Sequence, residues 1–335
     1  MTTQDSLRQV CLAARPAEVP KPADFTIATG RMPVPAEGEI LVRVLYLSLD
    51  PALRPRMNAV SAYAGSVALG EVIPSSGLGV VIASRSPLFA PGDHVFGMVG
   101  WQTHATLSAS EARSIDPARA PLPKWLSLLG LSSFTAWIGL TEIGRPRPGE
   151  TVVVSAAAGA TGAIVGQIAR IAGARAVGIA GGPVKCRHVV EDYGFDACVD
   201  YRAPDFLAKL DAACPDGVDV NYENVGGDIL AAVYDRMNVA GRIVLCGLVS
   251  EYSRPGGFGS GPSLWPAVYK SLRIEGFRAS RHWDRVPEFV DQALTWAAEG
   301  RLRHLETIAE GLEATPRAFV EMLTGGSLGK AMVRL

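Results

Sequence analysis

Apolar positions along the chain follow two different patterns, and the change from one to the other divides it. Up to about residue 130 they come in short runs broken by proline and glycine, which predicts strands at 8–14, 25–29, 39–48, 77–84 and 94–99. Turn chemistry bounds these runs, as in Pro35-Ala36-Glu37-Gly38 and Ala90-Pro91-Gly92-Asp93. Strands this short with frequent breakers suggest a small barrel-like domain. Between two of them lies the turn-rich stretch 50–57, followed by a loop carrying Tyr63. Near residue 128 the texture changes to an apolar helix at 129–140, whose start Ser132 or Ser133 would cap. The breaker Arg145-Pro146-Arg147-Pro148-Gly149 follows. Strand and helix then alternate: strand 151–155, helix 161–172, strand 176–180, helix 184–193, strands 197–199 and 218–222, helix 227–238 and strand 242–246. A last strand is expected at 273–277. Alternation of this kind with apolar strands predicts an α/β, doubly wound parallel sheet covered on both faces, with ligands at the carboxyl ends of its strands. Strands at 308–312 and 329–335, with a short helix between them, are expected to return to the first domain.

Composition narrows the class. A chain of 335 residues exceeds what one hydrophobic core usually holds, so two domains are expected. With 48% hydrophobic and 19% charged residues it reads as a soluble globular protein and not a disordered one. A net charge of −1 gives no electrostatic footprint for nucleic acid or an anionic membrane. No stretch approaches the roughly 20 apolar residues that span a bilayer, and the apolar run at 10–14 is too short for a signal segment. Five scattered cysteines, with no pair at metal-ligand spacing, suit a reducing, cytoplasmic setting.

The strongest chemical signal is the stretch from Val152 to Arg170. It reads as a buried strand, a turn of small residues, and a helix whose first turn is nearly bare. Gly159 and Gly162 let the backbone pass close to a ligand, and a helix N-terminus offers unpaired N–H groups and positive partial charge. A dinucleotide pyrophosphate fits that description. Taken alone such a turn also serves packing, but its place after a Thr-Val-Val-Val strand favours a cofactor. Gly166 is expected to let the helix lie tight on the strand, and Ala157 stands where the usual fingerprint has its first glycine. A carboxylate after the second strand would accept the ribose 2′-OH of NAD. None occurs between Gly159 and Glu191; Gly181-Gly182 leaves room, with Lys185 and Arg187 close behind. Cations and bare amides suit a 2′-phosphate, so NADP(H) is expected over NAD. The alternative is that Lys185 and Arg187 are solvated charges on a helix surface.

Several segments together resemble the medium-chain dehydrogenase/reductase superfamily, and within it the prostaglandin and leukotriene reductase branch that includes curcumin reductases. They are Ala156-Ala157-Ala158-Gly159-Ala160-Thr161-Gly162, Glu223-Asn224-Val225-Gly226-Gly227, Cys246-Gly247-Leu248-Val249-Ser250-Glu251-Tyr252 and Leu328-Gly329-Lys330, in matching order over nearly the whole chain. The resemblance implies a GroES-like β-barrel domain from 1–128 and 305–335 around a Rossmann NADP-binding domain from 129–304. It implies a zinc-independent enzyme, and the residues agree. Ser76-Gly77-Leu78-Gly79-Val80 replaces the Gly-His-Glu run of zinc members, the structural-zinc cysteines are missing, and His94 reads as a solvent or packing histidine.

The implied reaction is NADPH-dependent reduction of the activated C=C bond of α,β-unsaturated ketones and aldehydes, with hydride delivered to the β-carbon. By the same resemblance Gly159, Ala160, Thr161 and Gly162 would hold the pyrophosphate, while Lys185 and Tyr201 would contact the 2′-phosphate beside the room left at Gly181. Asn224 would hold the ribose or phosphate bridge. Cys246, Gly247 and Tyr252 would lie beside the nicotinamide, and Phe277 and Ala279 would meet its carboxamide. Tyr252 is the first candidate for a catalytic hydroxyl and Tyr63 the second. Ala52, Ser253 and Ser327 depart from the branch, and Ser327 is a shorter group near the expected nicotinamide site. A quinone oxidoreductase of the zeta-crystallin type and a non-catalytic NADPH-binding protein remain alternatives. A homodimer through the exposed edge of the last strand is expected.

Overall fold

The structure is a computed structural model that describes residues 6–60, 65–253 and 261–335. Tyr63 lies outside the described residues. The chain forms two compact units, Met1–Leu126 with Glu306–Leu335, and Ser127–Leu305.

The first unit opens with β1 (Leu7–Leu12), β2 (Phe25–Gly30), β3 (Glu39–Ser48), β4 (Gly77–Ser84), β5 (His94–Gly97), β6 (His104–Ser108), β7 (Arg113–Ser114) and the short α1 (Leu122–Leu126). The second holds α2 (Leu131–Ile138), β8 (Thr151–Ser155), α3 (Gly162–Ile171), β9 (Arg175–Ala180), α4 (Pro183–Glu191), β10 (Ala197–Asp200) and α5 (Phe206–Ala213). It continues through β11 (Val218–Glu223), α6 (Gly227–Asp235), β12 (Met237–Leu245), α7 (Trp265–Tyr269), β13 (Arg273–Gly276) and α8 (Val286–Ala298). The chain then returns to the first unit with β14 (Glu306–Glu310), α9 (Thr315–Leu323) and β15 (Lys330–Arg334).

In the first unit β1 pairs with β2, and the seven remaining strands form a sheet in the order β14-β15-β3-β4-β5-β7, with β6 on β3. The ten residues of β3 explain that branching. One stretch, Glu39 to Arg43, pairs with β6, while Tyr46 to Ser48 pairs with β15. Trp101 sits at the centre of this unit's core, its ring 5.5 Å from Phe25 and 5.2 Å from Phe319.

In the second unit all six strands run parallel in the order β10-β9-β8-β11-β12-β13. The order reverses between β8 and β11, so the carboxyl ends of those strands form the crevice where such sheets bind ligands. Every residue of β8 is buried, as a central strand covered on both faces requires. Burying each of its three valines is worth roughly 1.5–3 kcal/mol.

Several expectations need correction. The apolar helix ends at Ile138 and passes into a single π-type turn over Gly139–Gly144. Neither Ser132 nor Ser133 caps it: Gly130 holds the N-cap position, and the Ser133 hydroxyl donates to the Ser127 carbonyl at 2.8 Å. The helix expected over 227–238 stops at Asp235, and β12 begins at Met237 instead of 242, since it extends back along the β11 register. Gly166 does not serve the strand. A Cβ there would fall 1.9 Å from the Phe195 ring, so the bare position receives that ring from the loop before β10. Strands β6 and β7 and helices α5 and α8 had not been expected.

Candidate active site

The turn that follows β8 is built from its own backbone. Ala156 adopts a left-handed φ of 52°, a conformation that costs a non-glycine residue about 1 kcal/mol or more. The Gly159 amide closes the turn on the Ala156 carbonyl at 2.9 Å. A Cβ on Gly162 would stand 2.4 Å from that same oxygen, so the turn itself excludes a side chain there. The alanine standing for the first fingerprint glycine is explained next door. The Ala157 methyl lies 2.8 Å from where a Cβ would stand on Gly178 of β9, so the glycine is supplied by the neighbouring strand. The amides of Ala160, Thr161 and Gly162 follow the turn. They stand at the start of α3, whose first N–H groups have no partner within the helix. Behind the turn the buried His304 ring meets the Ala160 carbonyl at 2.9 Å.

A second cluster forms where β9 ends. Gly181 is pressed by β10's continuation: a Cβ on it would lie 2.9 Å from the Tyr201 ring and 3.1 Å from both the Tyr201 hydroxyl and the Arg202 Nε. The Arg202 guanidinium lies 5.6 Å from the centre of the Tyr201 ring. Asp200 accepts from the Gly182 amide at 2.8 Å and the Arg202 amide at 2.9 Å, and the first of these holds its carboxyl below the usual range. Half-buried Lys185 projects from α4 into the same neighbourhood. Burial and the nearby Arg202 both push its ammonium below the usual lysine value. An anion between the two cations would relieve both effects, so this donor set fits a 2′-phosphate. Arg187, by contrast, is exposed on α4. Asp200 and Arg202 were not singled out in the sequence; the signal available was their adjacency to Tyr201.

The third cluster ties the ends of β8, β11 and β12 together. Buried Glu223 accepts from the Ser155 hydroxyl at 2.7 Å and from the Val225 and Gly226 amides at 2.6 and 2.8 Å. Burial pushes its carboxyl up, against the pull of these donors. Asn224 is clamped by its own amide to the Ser155 hydroxyl and by its side chain to the Ser155 carbonyl, both at 2.7 Å. The loop after β12 folds onto this turn. The Cys246 and Gly247 amides donate to the Glu223 carbonyl at 2.9 and 3.1 Å, and the Val249 amide donates to the Asn224 carbonyl at 3.0 Å. That places the Tyr252 hydroxyl 3.1 Å from where a Cβ would stand on Gly247. Burial pushes the Cys246 thiol up to about 12. Tyr222 and Phe277 share the space over Gly139, where a Cβ would meet them at 2.6 and 2.8 Å. Ala279 is buried two residues further on. Glu223 and Ser155 are the members of this network whose roles the sequence had not shown.

In the first unit Ser327 is half-buried just ahead of β15, and the Leu328 amide and carbonyl both bond the Thr307 hydroxyl, at 3.1 and 2.8 Å. The Lys330 ammonium is buried against the Leu49 carbonyl at 3.1 Å and the Asp50 carboxylate. Among the described residues no group of three or more His, Cys, Asp or Glu is placed to hold a metal ion.

One unit with a parallel sheet and a bare glycine turn at its switch point, and another with a largely antiparallel sheet closed by the chain's return, are the parts of a two-domain nucleotide-dependent oxidoreductase. The chain belongs to the medium-chain dehydrogenase/reductase superfamily, in the branch of the curcumin and prostaglandin reductases. Residues 8–115 match the family model described as the N-terminal domain of oxidoreductase, and residues 160–295 match that described as zinc-binding dehydrogenase. The chain is 40% identical over 334 residues to the NADPH-dependent curcumin reductase of Escherichia coli (strain K12), covering 98% of this chain and 96% of that one. It is 35% identical over 339 residues to the 2-alkenal reductase (NADP(+)-dependent) of Nicotiana tabacum, covering 99% and 98%. The crystal structure of CurA in complex with NADPH from Vibrio vulnificus is 37% identical and superposes with a TM-score of 0.92 over 98% of each chain.

Proposed function

We propose that the chain is an NADP(H)-dependent reductase of the activated C=C bond in α,β-unsaturated ketones and aldehydes. One observation carries this reading: 40% identity over nearly the full length to a curcumin reductase, joined by a 2-alkenal reductase at similar coverage. A 2-alkenal is by definition an α,β-unsaturated aldehyde, and curcumin is likewise a conjugated enone.

Residues 129–304 form the NADP-binding domain in this scheme, and 1–128 with 305–335 form the substrate domain. Bound NADPH supplies a hydride for the substrate β-carbon. The amides of Ala160, Thr161 and Gly162, with the bare Gly159, hold the pyrophosphate. Gly181, Lys185 and Tyr201 receive the 2′-phosphate, and Arg202 joins them. Asn224, fixed on Ser155, holds the ribose or phosphate bridge. Cys246, Gly247, Phe277, Ala279 and Ser327 shape the nicotinamide site. Negative charge develops on the substrate oxygen as the double bond is reduced. The Tyr252 phenol O–H donates to that oxygen. Tyr63 is the second hydroxyl assigned to the substrate pocket. A phenol in this role takes the place of a Lewis acid, so the reaction needs no zinc. We assign a homodimer, with the exposed Trp265, Val268 and Tyr269 of α7 beside edge strand β13 as its contact surface.

An acceptor panel of enones, enals and quinones with NADPH, followed by product analysis, tests the reaction. Saturated ketones and aldehydes are expected; hydroquinones alone would replace this reading with a quinone reductase. Activity unchanged by dialysis against a zinc chelator is expected, and loss of activity restored by zinc would overturn the metal-free scheme.

A further inference from the structure

Glu223 ends β11 with its side chain wholly buried, and none of the steps above uses it. Because β11 lies next to β8, its carboxylate meets Ser155, the last residue of β8. One carboxylate oxygen accepts the Ser155 hydroxyl at 2.7 Å and the Val225 and Gly226 amides at 2.6 and 2.8 Å. That oxygen therefore fastens the end of β8 to the turn leading into α6. The Ser155 hydroxyl in its turn accepts the Asn224 amide at 2.7 Å, and the Asn224 side chain donates to the Ser155 carbonyl at 2.7 Å. The other carboxylate oxygen accepts from Asn221 Nδ2 at 3.2 Å, while Asn221 Oδ1 is buried without a hydrogen-bond partner. These donors are all neutral. What they draw from Glu223 is the position of two acceptor oxygens, and a buried donor that lost its acceptor would go unsatisfied.

We propose that Glu223 is a positioning residue for the nicotinamide half of the coenzyme, acting through Ser155 to fix Asn224. This rests on the assignment of Asn224 to the ribose or phosphate bridge. The sheet order β10-β9-β8-β11-β12 says which half of the nucleotide is concerned. The 2′-phosphate cluster lies at the ends of β9 and β10, the pyrophosphate turn at the end of β8, and Asn224 one strand beyond it at the end of β11. Neighbouring strands are about 4.8 Å apart, so a nucleotide laid across these ends reaches Asn224 only past its pyrophosphate. Without the Glu223 carboxylate, the Ser155 hydroxyl is free to turn away from the Asn224 amide, and the Asn224 side chain loses its fixed seat. Glutamine at this position keeps the arrangement. Its Oε1 retains the Ser155, Val225 and Gly226 bonds, and its amide nitrogen replaces the oxygen that faces Asn221. A half-turn of the Asn221 amide then brings the unpartnered Oδ1 round to accept from that nitrogen. Alanine keeps none of these bonds.

The test uses the full-length protein and titration calorimetry with NADPH, NADH and adenosine 2′-phosphate, a fragment that lacks both the phosphate bridge and the nicotinamide. Glu223→Ala is expected to raise the dissociation constants of NADPH and NADH about tenfold each, since the two share the nicotinamide half, and to leave the fragment within about twofold. Glu223→Gln should restore both nucleotides to within about twofold of the original protein. Ser155→Ala, which leaves the bonds to the Val225 and Gly226 amides in place, should repeat the selective loss at about threefold, and it carries the test if Glu223→Ala fails to fold. Equal weakening of the fragment and the whole nucleotides would mean that these bonds only hold the domain together, and it overturns the proposal. A glutamine variant as weak as alanine overturns it too, because charge and not acceptor position would then be what Glu223 supplies. Asn224→Ala separates the two assignments. If it leaves NADPH affinity unaltered, the bridge assignment fails and the proposal with it, whereas a loss there with none in Glu223→Ala or Ser155→Ala overturns the positioning role alone.

Discussion

Asp200 accepts a hydrogen bond from the Gly182 amide at 2.8 Å, joining the ends of two neighbouring strands, β9 and β10, 18 residues apart in the chain. Its carboxylate is turned onto backbone amides, and the cations Lys185 and Arg202 are left beside Gly181. Arg202→Ala is expected to raise the NADPH dissociation constant about tenfold, the size of one charge-assisted bond to phosphate. NADH affinity should stay constant. Equal losses for both nucleotides, measured by titration calorimetry, would mean that Arg202 supports the fold and not the phosphate.

Tyr252 and Gly247 form the second test. Tyr252→Phe removes the donor and is expected to lower kcat by roughly 10²-fold, with the NADPH dissociation constant unchanged. Gly247→Ala places a methyl 3.1 Å from the Tyr252 hydroxyl, which must shift by a few tenths of an ångström. A smaller fall in kcat is expected there. Steady-state kinetics under saturating NADPH separates the two.

The cysteines should differ in reactivity for stated reasons. Burial holds the Cys214 thiol at about 11 and the Cys246 thiol at about 12, so both remain protonated at neutral pH. Cys186 is shifted down instead. Iodoacetamide should therefore label Cys186 first, its rate falling as pH drops through its lowered value. Peptide mapping that finds Cys246 labelled earlier at neutral pH would contradict this order.

Lys330 is nearly inaccessible and shares its charge with Asp50 in the first unit. Lys330→Met leaves the Asp50 carboxylate half-buried and unpaired, at a cost of about 3 kcal/mol. Calorimetry should show Tm falling by roughly 5–10 °C. The pair ties β15 to the segment that begins the 50–57 loop, which gives the Leu328-Gly329-Lys330 match a structural reason.

The assigned dimer rests on exposed apolar side chains. Trp265 is 69% and Val268 67% accessible, far more than large apolar groups usually show together on one short helix. Sedimentation should find twice the mass of one chain. The double substitution Trp265→Asp with Val268→Asp should halve it without unfolding the protein.

Local pattern alone decided much of this molecule. The strands at 39–48, 77–84 and 151–155 form within the limits read from the sequence, because runs of buried valine, leucine and isoleucine between turn residues have few other uses. The bare turn at 156–162 was equally plain, since glycine there answers to backbone geometry. Tertiary structure decided what local pattern leaves open. Met237-Asn238-Val239-Ala240 fits a helix end as well as a strand, and the β11 register settles it as strand. Ala157 is admissible only because Gly178 faces it, and Gly166 is bare for the sake of Phe195. The phosphate-suited cluster draws Gly181 and Lys185 from one strand–helix unit and Tyr201 and Arg202 from the next. Periodicity reports which face of an element is buried, while the choice of neighbouring strand comes from packing of the whole sheet, and that choice brings these side chains together.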